Sequence, residues 1–224
     1  MSLDVVVSMT TWTKRINEPT LARCLFRLLE QQKTTYDYKV VLTLSTDEFG
    51  KNYKLPSVLQ ALLLHPRFEI IWTKENTKAS KKLDPTMQKY PDVPIITLDD
   101  DILVTQDCIQ KIMDEHKKYP KYIMGGLYGV SRGIMRVAYI RLFPPHSLAD
   151  IPVKYFISYF NCLHDDEWNG IRAKMKGTPM RKMGCRVIEN MTYGSQKERF
   201  SKVYCQFNLR EALNKFFKEH PEYK

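Results

Sequence analysis

The stretch Pro94–Asp107, "PIITLDDDILVTQD", sets Asp99, Asp100 and Asp101 in a row between two apolar runs. Adjacent carboxylates repel one another, and a solvated turn rarely needs three of them without a Gly, Ser or Asn. A helix N-cap accounts for them poorly, because Ile102, Leu103 and Val104 separate them from the next helical stretch. Carboxylates gathered at a strand end suit a hard divalent cation, Mg²⁺ or Mn²⁺, which prefers oxygen ligands. Such an ion takes only one or two protein carboxylates and fills its shell with phosphates and water. The D-x-D of Asp99 and Asp101 therefore fits a metal-diphosphate site.

A second acidic group lies in "FNCLHDDEW", where Asp165 and Asp166 open a helical stretch. Acids in a first turn offset the helix dipole, and Asp165 can be read as a plain N-cap. A carboxylate at that position can equally act as general base toward a hydroxyl. His164 has no second His at ligand spacing and reads as a local hydrogen-bonding residue. "TKENTKASKKLD" carries Lys74, Lys78, Lys81 and Lys82 just before the aspartate strand, either as a solvated face or to neutralise a diphosphate. Trp12 and Trp72 read as core residues. Trp168 reads instead as a platform for a sugar face.

The elements that must carry these groups alternate. "DVVVSM", "YKVVLTLS", "FEIIWT" and "PIITL" read as strands, the first a continuous apolar run of the kind buried on both faces. Between them lie a helix with Pro19 in its first turn and Leu21, Leu25, Leu28 and Leu29 on one face, a short helix in "SVLQALLLH", and a helix around Pro85. Asp107 to Lys118 form a further helix, with Thr105 as its N-cap. Alternation of this kind implies right-handed crossovers and a mainly parallel sheet. In such a sheet ligands bind beyond the carboxyl ends of the strands. The polar clusters Ser8–Arg15, Ser45–Phe49 and Asp99–Asp101 all follow predicted strands, so they converge if those strands are neighbours. The second half is less regular: strands in "YIMGGLYG", "VAYIRL" and "CRVIEN", a helix over Asp165 to Lys176, and a last helix opened by Asn208 with Glu211.

At 224 residues the chain suits one domain with a full-sized core. With 43% hydrophobic and 27% charged residues it has the balance of an ordinary globular protein. The five cysteines are an odd number without a C-x-x-C pair, which fits reduced thiols rather than a disulfide frame or a zinc site. No apolar run approaches the roughly 20 residues of a membrane span, and no signal peptide is read at the N-terminus. A cytoplasmic setting is therefore expected. The net charge of +10 favours anionic partners. No nucleic-acid motif accompanies it, so the expected partners are phosphorylated small molecules and, peripherally, an anionic membrane at the inner membrane face.

"VVVSMTTWTKRI", "KKLDPTMQKYPDVPIITLDDDI" and "HDDEW" together resemble bacterial glycosyltransferases of the nucleotide-diphospho-sugar transferase fold, in the group related to the inverting family 2 enzymes. The likeness spans roughly Val5 to Gly177. It implies an α/β, single-domain, Rossmann-like fold with a mostly parallel central sheet and a mixed C-terminal half. The domain would run over 4–224, with residues 4–120 as the nucleotide-sugar-binding half and 121–224 as the acceptor side. Asp101 and Asp99 match the acids that hold a divalent cation, Mn²⁺ or Mg²⁺. Asp99 and Asp100 also fall at the donor, as do Thr10, Thr11 and Arg15 of the first loop and the basic Lys82. Asp166 matches the acid that deprotonates the acceptor in inverting members. The implied activity moves one sugar from a nucleoside-diphospho-sugar, UDP-linked, to a saccharide or lipid-linked saccharide in bacterial surface glycan synthesis. "QKERF", Gln196–Phe200, only approaches the Q-x-x-R-W of processive synthases. Two other readings use the same residues: a magnesium phosphatase of the haloacid dehalogenase type, and a nucleotide-sugar-binding protein without turnover.

Overall fold

The computed structural model describes residues 3–131, 134–191 and 208–223. Its chain runs β1 (Val5–Thr10), α1 (Pro19–Glu30), β2 (Tyr38–Ser45), α2 (Thr46–Phe49), α3 (Ser57–Leu62) and β3 (Phe68–Thr73). A 3-10 helix (Lys78–Lys82), α4 (Asp84–Lys89), β4 (Ile95–Leu98), β5 (Ile102–Val104) and α5 (Cys108–Lys118) follow. The second half holds β6 (Ile123–Ser131), β7 (Ile134–Phe143), α6 (Val153–Phe160), α7 (Asp165–Lys176), β8 (Met180–Lys182), β9 (Ile188–Met191) and α8 (Leu209–Glu219).

Seven strands form the central sheet in the order β3-β2-β1-β4-β7-β6-β8. The first four are mutually parallel, β7 is antiparallel to both its neighbours, and β8 is parallel to β6. The mostly parallel sheet with a mixed second half is as the sequence implies. Alternate residues of one strand enter opposite layers: Val5, Val7 and Met9 pack with α1 and α5, while Val6 packs with Val41, Ile95 and Phe143. That two-sided burial is why β1 and β4 read as unbroken apolar runs. On α1 the buried stripe is Leu21, Cys24, Leu25, Leu28 and Leu29, one face at helical spacing.

Five expectations change. Trp72 is not a core residue: it lies on β3 and is 39% exposed. The helix around Pro85 is two pieces, because a proline has no N–H to continue a helix from behind; Pro85 sits instead in the first turn of α4. Ile102–Val104 is not a spacer but a strand, pairing with β9 in a separate two-stranded sheet. The N-cap of α5 is Asp107, not Thr105, whose hydroxyl bonds Asp107 Oδ1 instead. Trp168 is no sugar platform. It is 1% exposed, 5.4 Å from the Phe156 ring and 5.9 Å from Phe216 of α8. Trp168→Ala should therefore cost about 3–5 kcal/mol of stability, read by denaturant unfolding. An unchanged melt with weakened sugar binding would restore the platform role. Asn208 accepts from the Glu211 backbone N–H, as its capping role requires. "QKERF" lies outside the described residues. Among the described residues no helix is long and apolar enough to cross a membrane.

Candidate active site

β1, β2 and β4 are adjacent and parallel, so the loops after them meet at one sheet edge. After Leu98 the chain leaves the sheet, turns through Asp99–Asp101 and enters β5. The three acids have different surroundings. Asp100 is 5% exposed, accepts from Thr11 Oγ1 at 2.6 Å and pairs with Arg15. Burial pushes its pKa up, while Arg15 and Thr11 pull against that. Asp99 and Asp101 keep 35% and 26% of their side-chain exposure. Arg15 Nη1 stands 3.6 Å from Asp101 Oδ2.

The first loop and the second are joined by Glu48, which accepts from the Thr13 backbone N–H and from Lys81 Nζ at 2.7 Å. Lys81 is 2% exposed and also donates to Asn76 Oδ1 at 3.0 Å. Thr10 Oγ1 donates to the Thr43 carbonyl, holding β1 to β2. The three polar clusters thus do converge.

Lys82 follows on the 3-10 helix, which is pinned to β1 where Ser8 Oγ donates to the Lys82 carbonyl at 2.5 Å. Its ammonium is buried, 2.5 Å from Asp99 Oδ1 and 3.9 Å from Asp165 Oδ2. This single lysine connects the strand-end acids to the acids of α7. Those acids meet a second cation, Arg141, whose Nη2 donates to Asp165 Oδ2 at 2.8 Å and whose Nη1 donates to Asp166 Oδ1 at 2.5 Å. An alternating series results: Asp99, Lys82, Asp165, Arg141, Asp166.

Asp165 does not cap α7. The cap position is His164, with no side-chain cap bond and a left-handed backbone at φ 59°. Asn161 and Cys162 are left-handed too. Each such non-glycine residue costs of order 1 kcal/mol, a strain that persists only where the surroundings impose it. Lys78 Nζ donates to the Asn161 carbonyl at 2.8 Å and ties this loop to the 3-10 helix.

Electrostatics separate the two α7 acids. Burial pushes both pKa values up. For Asp165 the charges of Arg141 and Lys82 outweigh it and hold the carboxyl below the usual range. For Asp166 burial, aided by the negative charge of Asp165, outweighs Arg141 and raises the carboxyl to about 7. Asp166 retains 28% side-chain exposure, so solvent screens part of that push. Arg141 is held above its ordinary value: burial works against the charge, but Asp165, Asp166 and Asp99 more than offset it.

Arg141 is the residue that sequence reasoning missed. Its signal was a lone cation inside the apolar strand "VAYIRLF". Register supplies the rest, since Thr97 of β4 is its partner two residues before Asp99.

For a divalent cation the chain offers Asp99 and Asp101, both hard oxygen donors with open faces. Among the described residues no three His, Cys, Asp or Glu side chains gather as a metal cage. Two carboxylates fit an ion that takes its remaining ligands from a diphosphate and water.

The model of the family described as glycosyl transferase family 2 matches residues 7–173. No curated protein sequence matches the chain. Among solved structures, S. aureus TarS 1–349 in complex with UDP aligns with TM-score 0.54 and 8% identity, over 83% of this chain and 59% of that one. S. aureus TarS gives 0.55 and 9%, over 89% and 38%. A 4-diphosphocytidyl-2C-methyl-D-erythritol synthase gives 0.53 and 7%, over 88% and 96%. At these identities the likeness is one of fold. The chain spans about three fifths or less of the TarS structures it resembles.

Proposed function

This chain belongs to glycosyl transferase family 2, and from that membership we propose that it moves one sugar from a nucleoside-diphospho-sugar to a hydroxyl acceptor by an inverting displacement. The observation that carries the reading is Lys82, which stands within 3.9 Å of both a strand-end acid and an α7 acid. Donor-side and acceptor-side chemistry thereby share one charge cluster. A uridine donor is favoured because a structure of similar fold was solved with UDP.

Asp166 takes the proton of the acceptor hydroxyl as that oxygen attacks the sugar's anomeric carbon from the face opposite the diphosphate. Asp101 and Asp99 would hold a divalent cation, which when bound would offset charge on the departing diphosphate. Lys82 adds a buried positive charge beside Asp99. Thr10, Thr11 and Arg15 line the nucleotide through a loop that Asp100 fastens. In this reading residues 4–120 bind the donor, and 121–224 supply Arg141, Asp166 and the acceptor side. The acceptor is a saccharide or lipid-linked saccharide of a bacterial surface glycan. A cytoplasmic setting with peripheral contact to an anionic membrane is consistent with the +10 charge.

The test is a thermal-shift panel of nucleoside-diphospho-sugars with and without Mn²⁺, followed by nucleoside diphosphate release on adding saccharide acceptors. One donor should stabilise the protein in Mn²⁺ and be consumed. Binding of a donor with no release across the acceptors would favour a binding protein. Stabilisation by no donor would end the proposal.

A further inference from the structure

We propose that Arg141 is the positioning residue of the acceptor base, holding Asp166 by one end of its guanidinium while Asp165 serves as a fixed counter-ion at the other. The inference rests on the reading of Asp166 as base and adds the device that aims it. A guanidinium is a rigid planar fork, so two adjacent carboxylates bonded to its two ends are oriented relative to each other. Here Nη1 engages Asp166 Oδ1 and Nη2 engages Asp165 Oδ2. Asp166 Oδ2 takes no part in that pairing, and it is the oxygen we assign to the acceptor's proton.

The backbones on the two sides differ in what they can fix. Arg141 is 2% exposed on β7, a strand paired on both sides within the central sheet. Asp166 starts a helix with no side-chain cap, after a loop holding three left-handed non-glycine residues. The precision of Asp166 therefore has to come from its partner on the sheet. Nη1 and Nη2 each donate to one of the two acids, and among the described residues the buried Nε has no hydrogen-bond partner.

The charge arrangement points the same way. Asp166 is faced by Arg141 from β7, Asp165 from its own helix, Lys82 from the 3-10 helix and Asp99 from the turn after β4. Lys82 reaches Asp165 at 3.9 Å and shares the neutralisation of that acid. Part of the Arg141 charge is thereby left for Asp166. Arginine and lysine should not be interchangeable here, because an ammonium is a point charge that cannot fork to both acids.

The experiment uses the full chain with Arg141→Lys, Asp165→Asn and Asp166→Asn, and reads thermal stability, donor affinity by calorimetry, and kcat and KM across the acid and neutral range. Arg141→Lys should fold and bind donor with unchanged Kd and KM. Its kcat should fall by about 10²-fold, the cost of a displaced reacting group. Its acid limb should move to higher pH. Asp165→Asn should move that limb to lower pH, because the whole Arg141 charge then faces Asp166. A merely structural Arg141 would change stability without these opposed shifts. Unchanged kcat and acid limb in Arg141→Lys overturns the inference. If that variant fails to fold, a limb left in place or raised in Asp165→Asn overturns it. Full activity in Asp166→Asn would instead defeat the base assignment itself.

Discussion

Asp166→Asn is expected to lower kcat by about 10² to 10⁴-fold, the usual worth of general-base assistance, while metal-dependent donor binding stays nearly intact. A base used only in the transition state contributes little to holding the donor. A helix start by itself favours the charged form of a carboxyl. Burial reverses that, lifting it to about 7. The ionised form is the active one, so kcat should fall on the acid side of about pH 7 and level off above it. The same shift has a sign in stability. The folded state holds the Asp166 proton above the ordinary carboxylate pKa of about 4, so this group's contribution worsens as pH rises from there toward about 7. Asp165 acts oppositely: its pKa is depressed, so its stabilisation is present above the ordinary carboxylate pKa and lost as pH falls through the lower folded value. Asp166→Asn should therefore not lower the melting temperature near neutrality, and its advantage over the parent should shrink in acid. Full turnover in the variant, or retention of the donor's anomeric configuration, removes the assignment.

Much of this site was readable because its parts sit on elements whose sequence is constrained from both faces. "VVVSM" and "PIITL" could only be buried strands, and parallel neighbours bring their following loops together. Arg141 was not readable, because one cation in "VAYIRLF" looks like the outward residue of any half-exposed strand. Only the antiparallel pairing of β7 with β4 brings it to the acids. Asp165 misled for a local reason: position suggested a cap, and a left-handed His164 turned the helix start another way. Trp168 misled for a distant one. Its ring is covered by Phe156 of α6 and Phe216 of α8, and nothing in the spacing of α7 announces that α8 docks there. Ile102–Val104 was too short a run to show a period, so its pairing with β9 had no signature.

Donor affinity is expected to depend on Mn²⁺ or Mg²⁺ and to lose that dependence in Asp101→Ala. Asp100 is committed to Thr11 and Arg15, and Asp99 has the Lys82 ammonium at 2.5 Å. Arg15 Nη1, which pairs with Asp100, also reaches Asp101 Oδ2 at 3.6 Å. A diphosphate approaching this turn brings its own negative charge toward the three carboxylates Asp99, Asp100 and Asp101. Two unit charges about 4 Å apart repel by about 4 kcal/mol at an effective dielectric constant near 20, roughly a thousandfold in affinity. A divalent cation between them converts the repulsion into attraction, and two carboxylates with a diphosphate are a ligand set Mg²⁺ accepts. Calorimetry should show the parent binding its donor at least about tenfold more weakly in chelator than in Mn²⁺. Asp101→Ala removes a ligand and a repelling charge together. It should bind weakly, with the same Kd in chelator and in Mn²⁺. Equal affinity of the parent under both conditions would show that Lys82 and Arg15 carry the diphosphate without a metal.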